Sequence, residues 1–210
     1  MSRYTGPVCR LCRRENERLF LKGERCYTEK CAIGRRAKSL APGQHGASAK
    51  KLKGYGTQLR EKQKAKRIYG LHEAQFKNTF RKAEKKEGMA GVNLLTALEL
   101  RFDNVIYRMG MAESRKEARQ LVTHGHFKLN DKKANIPSLA VRLNDVISLN
   151  ESSRSLEKIK DLIANIDNKQ TVRWIEMDKN SVSATVIALP SREDIDFPFQ
   201  EHLIVELYSK

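Results

Sequence analysis

The spacing of apolar residues predicts several helices in the central part of the chain. Helical periodicity predicts a charged helix over residues 57–69 and a second helix over residues 72–87, and a glycine follows each range. Phe76 and Phe80 lie one turn apart in the second range. A longer apolar stripe covers residues 94–109 and is expected to enter the protein core.

A short helix followed by strands is predicted after this stripe. Ser114 and Glu117 have the spacing of a capping box, in which the serine caps a backbone N–H and the glutamate reaches back to the helix start. Gly125 can adopt the left-handed conformation that ends a helix. Polar and apolar residues then alternate over residues 126–130, with a turn at Asn130-Asp131. Further strands are predicted over residues 141–143 and 145–149.

The C-terminal part of the chain mixes helices and strands. Residues 155–166 have the periodicity of an amphipathic helix, and two apolar stretches, 171–175 and 182–189, are expected to be strands. Residues 203–208 predict an apolar helix that must pack against the protein or a partner. The whole pattern predicts an α+β fold.

Positive charge is concentrated in the first part of the chain. The protein has 41 Lys and Arg against 25 Asp and Glu, a net charge of +16. Residues 1–90 contain 24 of the basic and 8 of the acidic residues, so the remainder is electrically balanced. Segregated charge favours a polyanionic partner such as nucleic acid, whereas a basic surface kept for solubility would not need segregation.

Residues 32–67 predict a basic arm. The segment contains eleven Lys or Arg and one acidic residue, Glu61, and its glycines and Pro42 interrupt regular structure before residue 57. Such a segment is expected to order on its partner, where backbone N–H groups and side chains reach phosphates. Its glycines match neither a P-loop nor a dinucleotide-binding fingerprint.

All the cysteines of the chain, Cys9, Cys12, Cys26 and Cys31, lie near its start. Their C-x2-C-x13-C-x4-C spacing is typical of one structural Zn²⁺ ion held by four thiolates, and paired disulfides or a redox role are the alternatives. Disulfides suit a secreted chain, but no signal sequence or membrane-spanning stretch is predicted, so a cytoplasmic protein is expected. Four cysteines fill a tetrahedron, which leaves the ion no position for a small-molecule substrate.

Several blocks of the sequence resemble one known family. They are the cysteine quartet, Pro42-Gly43-Gln44-His45-Gly46, the block from Tyr55 to Lys64, the segment from Ser114 to His126 and the ending Leu203–Tyr208. Together they make the chain similar to bacterial small-subunit ribosomal protein S-four over essentially its whole length. Residues 98–149 are similar to the alpha-L RNA-binding motif of that family.

The resemblance implies a non-enzymatic protein of the small ribosomal subunit. It implies a primary binder of small-subunit ribosomal RNA that nucleates assembly of the body. The resemblance also implies contacts with ribosomal protein S-five, which influence translational accuracy, and with other small-subunit proteins. Messenger RNA is a further candidate partner. Because all four cysteines are present, the chain resembles the zinc-bearing form.

Three domains are expected from this resemblance. The first is a zinc knuckle and basic arm over residues 1–44, and the second is a helical RNA-binding domain over residues 45–97. The third is an alpha-L α/β domain with a small antiparallel sheet over residues 98–198. The helix over residues 199–210 is expected to pack back on the helical domain.

The candidate RNA-binding residues lie mainly in the knuckle, the arm and the alpha-L helix. This helix is expected to present Arg115, Lys116, Arg119 and Gln120 to solvent. Tyr55 and Tyr69 fit either stacking on a base or partial burial. The acidic residues Glu193, Asp194 and Asp196 fit either a protein contact or a solvated loop. The RNA-binding candidates are Arg3, Arg10, Arg13, Arg14, Arg35, Arg36, Lys38, His45, Lys50, Lys51, Lys53, Tyr55, Arg60, Lys64, Arg67, Tyr69, Ser114, Arg115, Lys116, Arg119, Gln120, His124, Gly125, His126 and Lys128.

Two other classes of protein share some of these features. An RNA-modifying enzyme can carry an alpha-L module, but the roughly 60 residues after residue 149 are too few for a catalytic domain of the usual size, and they contain no nucleophile or acid–base motif. A zinc-dependent DNA regulator would place a recognition helix near its metal. Here the region after Cys31 is interrupted by glycines.

Overall fold

A computed structural model describes residues 4–35, 41–46, 53–166, 172–178 and 181–209. The chain forms two compact units. The first unit contains Met1–Leu94 and Phe197–Lys210, and the second contains Leu95–Asp196.

Eight helices and five short strands lie within the described residues. The helices are α1 (Cys9–Glu15), α2 (Tyr55–Ile68), α3 (Glu73–Glu84), α4 (Ala90–Glu99), α5 (Phe102–Arg108), α6 (Arg115–Thr123), α7 (Glu157–Ala164) and α8 (Glu201–Tyr208). The strands are β1 (Phe127–Leu129), β2 (Lys132–Lys133), β3 (Val146–Leu149), β4 (Ile175–Asp178) and β5 (Ser183–Val186). Short 3₁₀ turns cover Gly23–Cys26 and Glu151–Ser153. This mixture confirms the predicted α+β class.

Local backbone geometry fixes the ends of α2 and α3. Gly54 and Gly70 flank α2 with φ values of +42° and +65°, which a glycine adopts at little cost. His72 caps α3, and its backbone N–H donates to Gln75 Oε1 at 3.4 Å. Both predicted helices are confirmed, with ends within three residues of those expected.

Helix α8 belongs to the first unit although it follows the second unit in sequence. It packs along α2, where Gln58 donates a hydrogen bond to Glu206 at 2.8 Å. Tyr208 stacks over Phe80 of α3 with ring centroids 4.6 Å apart, and Ile204 is fully buried. The apolar face of the C-terminal helix is therefore covered within the first unit.

The second unit has its core between helices and an antiparallel sheet of order β2-β1-β3-β5-β4. Strand β3 shows the expected alternation, because Ile147 and Leu149 are buried while Val146 is exposed. Phe127 of β1 lies opposite Leu149 in the register. The same core contains Trp174, the largest fully buried side chain.

Turn and capping residues join these elements much as the sequence predicts. Asn130 and Asp131 have φ values of 47° and 64°, which suit a two-residue hairpin between β1 and β2. Ser114 Oγ accepts the N–H of Glu117 at 3.3 Å, so the predicted cap on α6 is confirmed. Glu117 itself accepts the N–H of Glu113, one residue before the position expected for a capping box.

Three predicted elements differ from the structure. Residues 141–143 do not form a strand. The Val141 N–H donates to Leu100 O beside an isolated antiparallel bridge between Arg101 and Ala140. The apolar stripe over residues 94–109 is divided between these two helices, since Arg101 is extended with ψ 138°. The strand expected over residues 171–175 is found as β4, and residue 171 lies outside the described residues.

Candidate nucleic-acid interface

The four cysteines converge on one small cavity in the first unit. Cys9 and Cys12 lie one turn apart on α1, Cys26 ends the following 3₁₀ turn, and Cys31 comes five residues later. All four thiols are free, and all four line a cavity of about 20 Å³. The fold therefore brings together the two pairs that are separated by 13 residues in the sequence.

The thiols influence one another electrostatically. Burial raises the pKa of Cys12 and of Cys26, and the charges of neighbouring cysteines raise both further. The backbone N–H of Lys22 opposes this by donating to Cys26 Sγ at 3.3 Å. A metal ion would reverse the effect of burial, because coordination favours the thiolate.

The donor set matches zinc in type and number, since four thiolates complete a tetrahedral shell. Within the described residues, however, no group of three or more His, Cys, Asp or Glu is arranged so that it could hold a metal ion. The support for a bound metal is the shared cavity and the chemistry of the thiols. The four cysteines are not arranged as a complete set of ligands in the described structure.

Exposed cations surround the cysteine cluster. Arg10 and Arg14 of α1 are exposed, and Arg13 is half-buried. Other exposed candidates in the first unit are Arg35, His45, Lys53 and Tyr55. Further exposed basic residues of the knuckle, beyond the predicted RNA-binding residues, are Arg18, Lys22, Arg25 and Lys30. Cations with this exposure can reach phosphate oxygens without loss of internal contacts.

Three other basic candidates of the first unit form internal ion pairs. Arg60 and Arg67 of α2 both donate to Glu15 Oε1, which is 3% exposed at its side chain. Lys64 pairs with Glu17 at 3.2 Å and with Glu61 at 2.8 Å. These contacts join α2 to the cysteine-bearing segment, so the cations serve the fold of this unit.

The polar residues of α6 divide between solvent and the interior of the second unit. Lys116, Gln120 and His124 are exposed. Arg115 donates to Asn104 Oδ1 at 2.7 Å, and Arg119 donates to Asp103 Oδ2 at 3.1 Å.

The expectation that all of this face of α6 points to solvent is therefore wrong for Arg115 and Arg119. Their side chains are only 10% and 12% exposed. Both are held by polar partners on α5, which immediately precedes α6 in the chain.

Comparisons with known proteins cover the whole chain. Residues 3–99 match the ribosomal protein S4/S9 N-terminal domain, and residues 100–147 match the S4 domain. The chain is 60% identical to small ribosomal subunit protein uS4A of Clostridium perfringens and 58% identical to uS4 of Clostridioides difficile. It is 57% identical to uS4 of Heliobacterium modesticaldum. Each match covers 100% of both chains.

The chain belongs to the uS4 family of small-subunit ribosomal proteins. This membership confirms the resemblance to the S-four family, and it identifies a structural protein of the ribosome and not an enzyme. The S4 domain begins at Leu100, in the turn between α4 and α5. No helix in the described part of the chain has the length and apolar character needed to cross a membrane.

The remaining candidates of this uS4-family chain have mixed environments. Ser114 and Gly125 begin and end α6, and Lys128 is half-buried on β1. The ring of His126 contacts Ser153 Oγ at 2.9 Å, and burial, followed by the charges of His124 and Lys133, lowers its pKa. Candidates that lie outside the described residues are Arg3, Arg36, Lys38, Lys50 and Lys51.

The structure distinguishes Tyr55 from Tyr69, for which the sequence allowed either base stacking or partial burial. Tyr69 is buried and stacks on Phe199 with ring centroids 6.4 Å apart. Tyr55 is 61% exposed at the start of α2. Tyr69 is therefore part of the core of the first unit, and Tyr55 remains an RNA-binding candidate.

A buried ionic network in the uS4 fold was not predicted from the sequence. Arg108 donates two hydrogen bonds to Glu99, at 2.8 and 2.9 Å, and a third to Asp196. Burial would lower the pKa of Arg108, but the bonds and charges of Glu99 and Asp196 outweigh it and raise that pKa. Asp196 thus has an internal partner, and Asp194 accepts hydrogen bonds from Ser191.

Proposed function

We propose that this chain is a constituent of the small ribosomal subunit that binds small-subunit ribosomal RNA. The observation that carries the proposal is the full-length match to uS4 proteins at 57–60% identity. The location of the charge adds physical support, because residues 1–90 carry all the excess of positive over negative residues. A field of this kind supplies affinity for RNA that falls with salt concentration.

Two surfaces are proposed to contact the RNA. In the first unit they are the exposed cations of the cysteine-bearing segment and the arm, with Arg10, Arg14 and Arg35 as representatives. In the second unit Lys116 and Gln120 are exposed on the first two turns of α6. A folded RNA junction is recognised through its phosphates, 2′-hydroxyls and unpaired bases, which suits many dispersed polar contacts.

We also propose that Cys9, Cys12, Cys26 and Cys31 hold one structural zinc ion. The ion would tie α1 to the turn Gly23–Cys26 and so fix the segment that carries Arg10 and Arg14. Elemental analysis of anaerobically prepared protein is expected to find one zinc per chain. Absence of zinc from protein with four reduced thiols would contradict the assignment.

The finer roles of the family are further parts of the proposal. They are nucleation of small-subunit assembly as a primary RNA binder, contact with ribosomal protein S-five that influences accuracy, and contact with messenger RNA. Glu193 and Asp196 are the exposed acidic residues of the 193–196 segment, and because Asp196 pairs with Arg108, Glu193 is the one proposed for a protein contact. Binding to the RNA before other small-subunit proteins are added would support the role in nucleation.

Chemical footprinting on naked small-subunit ribosomal RNA tests the central proposal. We expect protection confined to a junction of helices, with an affinity that falls steeply between low and physiological salt. Duplex DNA of equal length serves as the control polyanion at the same salt concentration. Equal affinity for the DNA, or protection spread evenly over the RNA, would show only nonspecific binding and would refute the proposal.

A further inference from the structure

Tyr27 is the most exposed aromatic residue in the part of the chain that the structure describes. It follows Cys26 at the end of the 3₁₀ turn and is 70% exposed. A single exposed aromatic ring needs no explanation by itself. The residues around Tyr27 determine whether its exposure indicates a binding contact.

The ring of Tyr27 rests on a row of other aromatic side chains. Its centroid lies 5.0 Å from that of Phe20, with 31° between the planes. Phe20 lies 6.0 Å from Phe197, which in turn lies 5.7 Å from Phe199. Phe197 and Phe199 are 6% and 4% exposed, so the row is anchored in the core of the first unit. The Tyr27 ring is therefore supported from below while most of it remains open to solvent.

The backbone at Phe20 is strained. Its φ of +48° lies in the left-handed region, which a residue with a bulky side chain rarely adopts. The residues on either side, Leu19 and Leu21, are both buried, and Phe20 itself is only half-buried. Such strain persists where the surrounding structure enforces it and is concentrated at functional sites. Here it accompanies the placement of an aromatic ring against Tyr27.

The charges around Tyr27 favour an anionic partner. The exposed residues nearest in sequence include the cations Lys22, Arg25 and Lys30, against the carboxylates Glu24 and Glu29. The arginines of α1 extend the positive surface. A flat apolar ring bordered by cations matches a nucleotide, which offers a base to the ring and phosphates to the cations.

We propose that Tyr27 is a stacking platform for one unpaired base of the bound RNA, and that Lys22 and Arg25 hold the flanking phosphates. This inference rests on the proposed binding of ribosomal RNA and names one contact within it. The base must be unpaired because an A-form helix keeps its base faces stacked inside. Stacking tolerates any of the four bases, so the platform adds affinity more than sequence preference.

Two substitutions in the full-length chain separate stacking from other roles. Tyr27→Ala removes the ring, and Tyr27→Phe keeps it. We expect Tyr27→Ala to weaken binding to naked small-subunit ribosomal RNA about 5- to 100-fold, while Tyr27→Phe stays within about twofold of the unsubstituted protein. Met89→Ala is the matched control, because Met89 is an equally exposed apolar side chain, 74% exposed, between α3 and α4.

Salt dependence distinguishes the ring from the cations. Tyr27→Ala is expected to leave the slope of log affinity against log salt unchanged, since no phosphate contact is lost. Lys22→Gln or Arg25→Gln is expected to reduce that slope by about 1. A Tyr27→Ala variant that binds RNA as well as Met89→Ala overturns the platform and leaves ribosomal RNA binding intact. Failure of the unsubstituted protein to prefer the RNA over duplex DNA overturns both proposals.

Ultraviolet crosslinking provides a second measurement that does not depend on a variant. In the complex with naked RNA, we expect the peptide containing Tyr27 to crosslink to a nucleotide that is unpaired in the RNA secondary structure. If the same peptide crosslinks only to another protein in reconstituted subunits, the exposed ring is a protein contact and the platform is refuted.

Discussion

Glu15 shows at the scale of one residue how a carboxylate determines which arginines can reach RNA. Burial raises its pKa even though Arg67, Arg60, Arg14 and Lys64 all act to lower it. Burial likewise lowers the pKa of Arg67. Both shifts favour the neutral forms, so this ion pair adds little net stability. We infer that Glu15 instead fixes the position of α1 against α2. Its ion pairs with Arg60 and Arg67 keep these two arginines from contacting RNA.

Neighbouring cations on α6 should respond to substitution in opposite ways. Lys116→Gln removes an exposed charge and is expected to reduce the salt slope of RNA binding by about 1, with a smaller effect on the melting temperature than Arg119→Gln. Arg119→Gln removes a partner of buried Asp103 and is expected to destabilise the second unit by about 1–3 kcal/mol. Salt-dependent RNA binding and thermal unfolding of the two variants check this. The reverse pattern would show that Arg119 is the RNA contact.

The sequence could not separate these cations because helical spacing alone does not reveal what lies opposite each side chain. Lys116 and Arg119 are both polar residues on the first two turns of α6, yet Arg119 donates to buried Asp103 on α5 whereas Lys116 is exposed. The cap at Ser114 was predictable because its hydrogen bond is local. Contacts between elements depend on the fold.

Glu73 should make the stability of the first unit depend on pH. Burial alone would raise the pKa of Glu73, but hydrogen bonds from Lys62 and Lys66 outweigh it and lower that pKa from 4.5 to about 2. Its stabilising contribution is therefore present above about pH 4.5 and is lost as pH falls toward 2. Because the side chain is 47% exposed, screening limits this contribution to less than about 1 kcal/mol.

Chemical denaturation of Glu73→Gln over a pH series measures this contribution. The variant should be less stable than the unsubstituted protein at pH 6, and the two should converge near pH 2. Glu84→Gln, an exposed residue on the same helix, is the control. A difference that persists unchanged at pH 2 would mean that the ion pairs with Lys62 and Lys66 are not its source.

At the scale of elements, the pairing of α8 with α2 and α3 holds the first unit together. Tyr208 stacks on Phe76 and Phe80, and its hydroxyl donates to Glu73 Oε1 at 3.2 Å. Burial and the negative charge of Glu73 both raise the pKa of Tyr208 above its ordinary value, so this hydroxyl keeps its proton into the alkaline range.

Tyr208→Ala is therefore expected to destabilise the first unit by about 1–3 kcal/mol through loss of stacking and buried area. Tyr208→Phe keeps the ring and should cost less than about 1 kcal/mol. Denaturant unfolding measures both, and equal losses would assign the stability to the hydroxyl. The helices themselves were predictable from periodicity, but the residues that α8 covers were not, because they lie more than 120 positions earlier.

At the scale of the whole molecule, the metal and the alpha-L region are expected to be independent. The proposed zinc ligands all lie in the first unit, whereas α6 and the whole sheet lie in the second. Removal of zinc by a chelator is expected to speed hydrogen exchange over residues 9–31 and to weaken RNA binding. Exchange in β1, β3 and β5 should not change. Loss of protection in those strands would show that the metal supports the whole fold.

The return of α8 to the first unit has a consequence for synthesis. Residues 95–196 must be made before α8 appears, which takes about 5–20 s at ordinary rates of translation. During that interval Phe80 lacks Tyr208, the ring that stacks on it in the folded protein. A nascent chain interrupted before α8 therefore exposes an aromatic surface that chaperones must shield or proteases can recognise.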